Sequence, residues 1–192
     1  MLCQSDSLTS LKRVIVALDA MGGDFSTQAV ISGADFFLSG LMKNNAEVQF
    51  RLYGQKSLVL PILSKYKKVA DRSIFIDAPE VVSSNDKPSV ALRNLRNSSM
   101  RLAVDAVQCG EADCAISSGN TGALMAIARF VLGTLPGIYR PAIVSTFPSK
   151  LEDFVLLDLG ANVECNADSL FQFAVMGDAF AKTVLNRGLP KV

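Results

Sequence analysis

Apolar residues occur along this chain in short runs separated by glycine-containing turns, and the runs alternate between unbroken stretches and helical spacing. Val14–Leu18 is a consecutive apolar run, the pattern of a strand covered on both faces, and it leads into the turn Asp19-Ala-Met-Gly-Gly-Asp24. Helical spacing follows from about Thr27 to Met42, with Asp24 or Ser26 placed to cap it. Val48–Tyr53 reads as a second strand. The helix after Gly54 carries Pro61 and should be short or kinked, because proline lacks an amide hydrogen and crowds the preceding turn. Ser73–Asp77 reads as a third strand.

From Pro79 to Pro88 the chain is polar and rich in turn formers. Helical spacing resumes from Ser89 to about Gln108 through Val90, Leu92, Leu95, Met100, Ala103, Val104 and Val107, with a break expected near Ser98-Ser99 and an end at Gly110. Then comes a short strand from Ala112, the turn Ser117–Gly122, and a helix from Thr121 to Leu132 stopped by Pro136-Gly137. This alternation predicts an α/β fold, a three-layer αβα arrangement around a mixed, mostly parallel sheet. Ala142–Phe147 and Phe154–Leu159 lie too close together for a crossover helix and predict an antiparallel hairpin. After the turn Leu159-Gly160-Ala161-Asn162, Asp168 is expected to cap a last helix reaching about Asn186, with Leu170, Phe173, Ala174, Gly177, Ala181 and Val184 on its apolar face. Residues 1–12 read as a flexible N-terminus and 13–192 as one α/β domain. Because Leu189-Pro-Lys-Val192 resembles the approach to another strand, that domain is expected to be incomplete.

Charge narrows the function classes. With 19 basic and 18 acidic residues the net charge is +1, and only Lys65, Lys67 and Lys68 cluster, so no nucleic-acid footprint is visible. The absence of histidine excludes a histidine triad, a histidine general base and a histidine-ligated metal within this chain. No apolar stretch approaches the roughly 18 residues of a membrane span, and no secretory signal is visible. The expected location is therefore the cytoplasm, with peripheral membrane contact left open. Cys3, Cys109, Cys114 and Cys165 form no C-x-x-C pair and read as reduced thiols, Cys109 and Cys114 flanking a strand expected to be buried.

Three turns follow strands and combine small residues with Asp or Asn: Asp19–Asp24, Ser117–Gly122 and Asp158–Asn162. The C-terminal ends of parallel strands share one sheet edge, so the three are expected to converge there, Asp158 with the least certain placement. Ser117–Gly122 opens a helix, where amides without partners and the macrodipole favour an anion. The competing reading is structural: Gly119 and Gly122 allow a tight turn, and Asp19, Asp24 and Asp158 cap helices or fix turns. Asn85-Asp-Lys87-Pro88, Arg93, Arg96 and the pair Ser98-Ser99 offer cations and hydroxyls to an oxyanion, or form a solvated helix face. Arg140, ahead of the hairpin, is equally open. No dinucleotide fingerprint or P-loop is present, and Asp19 with Asp24 as Mg²⁺ ligands is the weaker alternative.

The stretches V-A-L-D-A-M-G-G-D (Val16–Asp24), K-P-S-V-A-L-R with S-S-M (Lys87–Met100), S-S-G-N-T-G-A-L-M-A (Ser117–Ala126), R-P-A (Arg140–Ala142), L-L-D-L-G-A-N-V (Leu156–Val163) and F-A-V-M-G (Phe173–Gly177) occur in this order. Together they resemble the PlsX family of bacterial phosphate acyltransferases, and cover about the first half, or somewhat more, of a family member. Ser118 stands where the family usually has Ala, and Leu95 where it usually has Lys, which leaves the cation set of that helix short. The resemblance implies a fold similar to the isocitrate/isopropylmalate dehydrogenases and phosphotransacetylases, with a cleft between two lobes. It implies attack of inorganic phosphate on a long-chain acyl thioester of acyl carrier protein, giving acyl phosphate for phospholipid synthesis, with no cofactor, no metal and a homodimer. On this reading Asn120, Thr121, Lys87 and Arg93 are the expected catalytic residues. Ser117, Ser118, Gly119, Gly122, Ser98, Ser99, Asp19, Gly22, Gly23, Asp24, Asp158, Gly160 and Asn162 are expected to shape the phosphate and acyl site. The alternatives are a phosphate- or acyl-carrier-binding module without turnover, and a metal- and NAD-dependent decarboxylating dehydrogenase of related fold, whose aspartate cluster and cofactor loop are not seen.

Overall fold

The computed structural model describes residues 13–41 and 47–191; the expected N-terminal tail with Cys3, and Met42, lie outside the described residues. Two compact units divide at Ile127 and Ala128. The first contains β1 (Val14–Asp19), α1 (Ser26–Leu41), β2 (Val48–Gly54), α2 (Lys56–Leu63), α3 (Lys67–Ala70), β3 (Ser73–Asp77), α4 (Pro88–Asn94), α5 (Ser99–Gln108) and β4 (Cys114–Ile116). Helix α6 (Thr121–Leu132) runs across the division. The second unit contains the strands β5 (Val144–Phe147) and β6 (Phe154–Leu157) and the helix α7 (Ala167–Val184).

Strand order in the first unit is β3-β2-β1-β4, every pair parallel, with Val14 opposite Val48 and Val16 opposite Cys114. Alternation along β1 sends its side chains to opposite faces. Val16 and Leu18 join Ile31, Leu38, Phe50, Leu52, Val59 and Val69 in a core of branched and aromatic residues contributed by α1, α2, α3 and the sheet. Ala17 turns to the other face, where Ala78, Ala103, Ala106 and Ala112 gather around Tyr53. These small residues allow α5 to lie close on the sheet. The three-layer αβα reading therefore holds for this unit.

Helix α2 ends after eight residues with Pro61 inside it, as the missing amide predicts. The long helical stretch after Pro88 is two helices, broken where expected. Ser98 is extended, accepts the Arg101 amide through Oγ and donates its hydroxyl to the Leu95 carbonyl, so one side chain closes α4 and caps α5. Glu80 holds the same break, its carboxylate on the Asn97 amide and its carbonyl on the Ser99 amide.

Three expectations about burial and capping are corrected. Strand β4 is the edge of its sheet, so Cys114 and Ile116 are exposed, as are Cys109 and Cys165. The apolar content of the strand signalled burial, but the strand has a neighbour on one side only. In the second unit Asn166, not Asp168, caps α7: its Oδ1 accepts from the Ser169 amide at 2.9 Å. Asp168 lies in the first turn, where its charge complements the helix dipole. Of the predicted α7 face, Phe173 and Ala181 are buried, whereas Leu170 and Val184 are more than half exposed. The cause is that the two-stranded sheet of β5 and β6 is narrower than the stripe. The hairpin itself is antiparallel, Val144 facing Leu157, with Phe147 and Phe154 stacked at 5.9 Å.

Candidate functional site

In the sheet of the first unit the connections from β1 to β2 to β3 move one way, while β4 lies on the opposite side of β1. The C-terminal ends of β1 and β4 therefore flank the reversal of strand order, the position where doubly wound sheets bind their ligands. Two of the predicted turns meet here. Asp19 ends β1 and is 2% exposed; its Oδ1 accepts from the Ser99 hydroxyl at 2.6 Å and the Met21 amide at 3.0 Å, and its Oδ2 accepts from the Ser117 hydroxyl at 2.6 Å. One carboxylate thus ties together the β1 turn, the first residue of α5 and the β4 turn.

Backbones meet as closely as the side chains. A Cβ on Gly22 would lie 2.6 Å from the Gly119 nitrogen, so glycine is required by the approach of the two turns. Gly23 has φ +93° and passes Ser118, whose hydroxyl donates to the Gly22 carbonyl at 2.9 Å. Gly119 donates its amide to Ser117 Oγ at 3.1 Å.

Asn120 has a structural position. Its Oδ1 accepts from the Ala123 amide, capping α6, and its Nδ2 donates to the carbonyls of Ser83, Ser84 and Asp86. The side chain therefore pins the loop before Lys87 to the start of α6, and Gly122 leaves room for Pro88, whose Cγ would stand 3.0 Å from a Cβ there. The N-termini of α4 and α6 adjoin as a result. Thr121 is exposed at the first position of α6, and the amides of Thr121 and Gly122 have no acceptor inside the helix. Lys87 and Arg93 are exposed, and neither is in an ion pair among the described residues.

Ser98 and Ser99, expected as oxyanion donors, are buried with their hydroxyl hydrogens committed to Leu95 and Asp19. They hold the site from behind. Asp24 is exposed at the end of the β1 turn. Asp19 spends both oxygens on internal donors, which disfavours Mg²⁺ there, and the described residues contain no group of three or more His, Cys, Asp or Glu placed to hold a metal. A cavity of about 590 Å³ adjoins the two turns, its walls chiefly apolar and including Val30, Ala34, Phe37, Phe50 and Ile116 beside Ser117 and Ser118. The Asn120 cap could be read from an Asn immediately before a helix; the bond from Ser99 to Asp19, between residues 80 positions apart, carries no sequence signal.

The third turn is built within the second unit. Asp158 accepts from the amides of Ile143, Ala161 and Asn162 and from Asn162 Nδ2, and Asn162 also donates to the Pro141 carbonyl. Gly160 supplies φ +87° between them. Partial burial is the largest single influence and pushes the Asp158 carboxyl up, but the bonds from Ile143, Asn162 and Ala161 together outweigh it and hold the carboxyl below its ordinary range. The stabilisation is therefore complete above the ordinary carboxylate value, about pH 4, and is lost as pH falls through the lower folded value. Replacing Asp158→Asn should flatten the pH dependence of unfolding free energy below about pH 4. An unchanged slope would show that the carboxylate contributes nothing to the turn.

The profile of a family described as fatty acid synthesis protein matches residues 14–192. The chain is 56% identical over 182 residues to a phosphate acyltransferase of Ehrlichia ruminantium (strain Gardel), covering 95% of this chain and 53% of that protein. It is 59% identical over 180 residues to one of Ehrlichia chaffeensis, covering 93% and 53%, and 58% identical over 179 residues to one of Wolbachia pipientis subsp. Culex pipiens, covering 93% and 52%. The chain spans about half the length of the curated relatives it matches. Among the described residues no helix is long and apolar enough to cross a membrane. With the profile match extending from β1 past α7 and identities above half, the chain belongs to the fatty acid synthesis protein family, whose curated relatives here are phosphate acyltransferases.

Proposed function

We propose that the complete protein is a phosphate acyltransferase that moves a long-chain acyl group from acyl carrier protein to inorganic phosphate, and that the β4–α6 turn holds the phosphate. The observation that carries this reading is the junction of the β1 and β4 turns at the switch point of the sheet, with the first amides of α6 open beside it. The relatives named phosphate acyltransferase supply the reaction class.

Phosphate is its own nucleophile near neutral pH, so the chain needs no histidine base. A phosphate oxygen attacks the thioester carbonyl, the carbon–sulfur bond breaks, and the carrier thiol leaves with the proton that phosphate gives up. The protein's task is to orient the anion and to stabilise the charge that develops on the carbonyl oxygen. The amides of Thr121 and Gly122, the Thr121 hydroxyl and the helix dipole suit the anion, and Lys87 and Arg93 balance its charge from the loop that Asn120 pins. The apolar cavity next to Ser117 suits an acyl chain. The working protein is taken as a cytoplasmic homodimer, the dimer on the strength of the sequence resemblance.

Thr121→Val and Asn120→Ala, each in the full-length protein, should raise the apparent KM for phosphate about tenfold or more, by loss of a contact in the first and of loop position in the second. Acyl phosphate formation from acyl carrier protein measures this. Wild-type kinetics in both folded variants would remove the turn from the phosphate site.

A further inference from the structure

The two serine hydroxyls of the β4 turn, Ser117 and Ser118, both give their hydrogens inward. A serine has one hydrogen to donate and two lone pairs to offer. Ser117 donates to Asp19 Oδ2 at 2.6 Å and accepts the Gly119 amide at 3.1 Å, which leaves one lone pair on a half-buried side chain. Ser118 donates to the Gly22 carbonyl at 2.9 Å, so it too faces solvent as an acceptor. Asp19 cannot turn away to release Ser117, because its other oxygen is held by Ser99 and Met21 and Ser99 is 1% exposed.

We propose that Ser117, held as a pure acceptor by Asp19, is the specificity element of the turn and selects an anion that carries its own proton. The amides of Thr121 and Gly122 donate to the unprotonated oxygens of such an anion, and Ser117 Oγ accepts the hydroxyl of hydrogenphosphate. Sulfate has the same shape but no proton at neutral pH, so its oxygen would face the Ser117 lone pair with no hydrogen between them. This inference rests on the phosphate-holding reading of the same turn and adds the chemical basis on which the turn chooses its anion.

The test is equilibrium binding of inorganic phosphate and of sulfate to the intact protein, by calorimetry. The wild type should bind phosphate at least about tenfold more tightly than sulfate. Ser117→Ala should bring the ratio within about threefold, and Ser117→Thr, which keeps the hydroxyl, should restore it. Asp19→Asn offers a further readout. With its oxygen kept on Ser99, the new amide group faces Ser117 and donates to it, which frees the Ser117 hydrogen to point outward; sulfate affinity should then rise, an effect that damage to the fold does not produce. A wild type that binds both anions equally, or a ratio unchanged in Ser117→Ala, overturns the specificity role and leaves the phosphate site standing. A folded wild type that binds no phosphate overturns the site and the specificity role together.

Discussion

Alanine at position 22 should destabilise the protein by about 1–3 kcal/mol and disable the site, although it adds one methyl group. The Cβ would stand 2.6 Å from the Gly119 nitrogen, 2.9 Å from Asp19 Oδ2 and 3.0 Å from the Gly119 Cα, so backbone and not a flexible side chain must give way. The only relief is to part the β1 and β4 turns, which lengthens the Asp19–Ser117 bond and shifts the start of α6. Urea unfolding should show a lower midpoint at unchanged slope, and phosphate affinity should fall by more than about tenfold. Gly33→Ala is the matched comparison. Gly33 lies inside α1, a Cβ there meets nothing within 4 Å, and the substitution should stabilise by up to about 1 kcal/mol through helix propensity. Equal stability of Gly22→Ala and wild type would show that the two turns are not in the tight contact described.

The second large effect is expected from Asp19→Ala. Removing this carboxylate deprives the Ser99 and Ser117 hydroxyls and the Met21 amide of their acceptor, and Ser99 lies where water does not reach. A buried donor left without a partner costs about 1–3 kcal/mol, and the three share one acceptor group, so the loss should total about 3 kcal/mol. For a chain of 192 residues this corresponds to a drop in Tm of about 6–12 °C. Ser99→Ala should cost less, since it removes one donor and leaves Asp19 its other two. If Asp19→Ala melts within about 2 °C of wild type, the buried carboxylate is not the tie between the strands.

Most of the first unit is legible from local pattern. Strand β3 and helix α6 occupy the predicted residues, and the break between α4 and α5 falls at Ser98, because periodicity, proline and capping serine each act within a few residues. The hairpin of β5 and β6 was legible for the same reason: a short connection cannot hold a crossover helix. The misplaced cap of α7 shows the limit of that logic. Asn166 and Asp168 are both cap formers two positions apart, and which of them is extended depends on the path of the chain into the helix. The exposure of β4 and of Leu170 and Val184 was not legible, because burial belongs to the neighbours of an element and not to its own residues.

At the site the division follows the same rule. The residue types of the turns, the glycines, the open helix start and the absence of histidine could all be read along the chain, and so could the kinship with phosphate acyltransferases. The direction of each hydrogen bond could not. That Asn120 pins the loop before Lys87, that Ser98 and Ser99 face inward, and that Asp19 claims the Ser117 proton are consequences of backbones brought together from positions up to 98 residues apart. A strand or a helix is selected by interactions between neighbours in sequence, whereas a hydroxyl hydrogen goes to whichever acceptor the completed sheet places beside it.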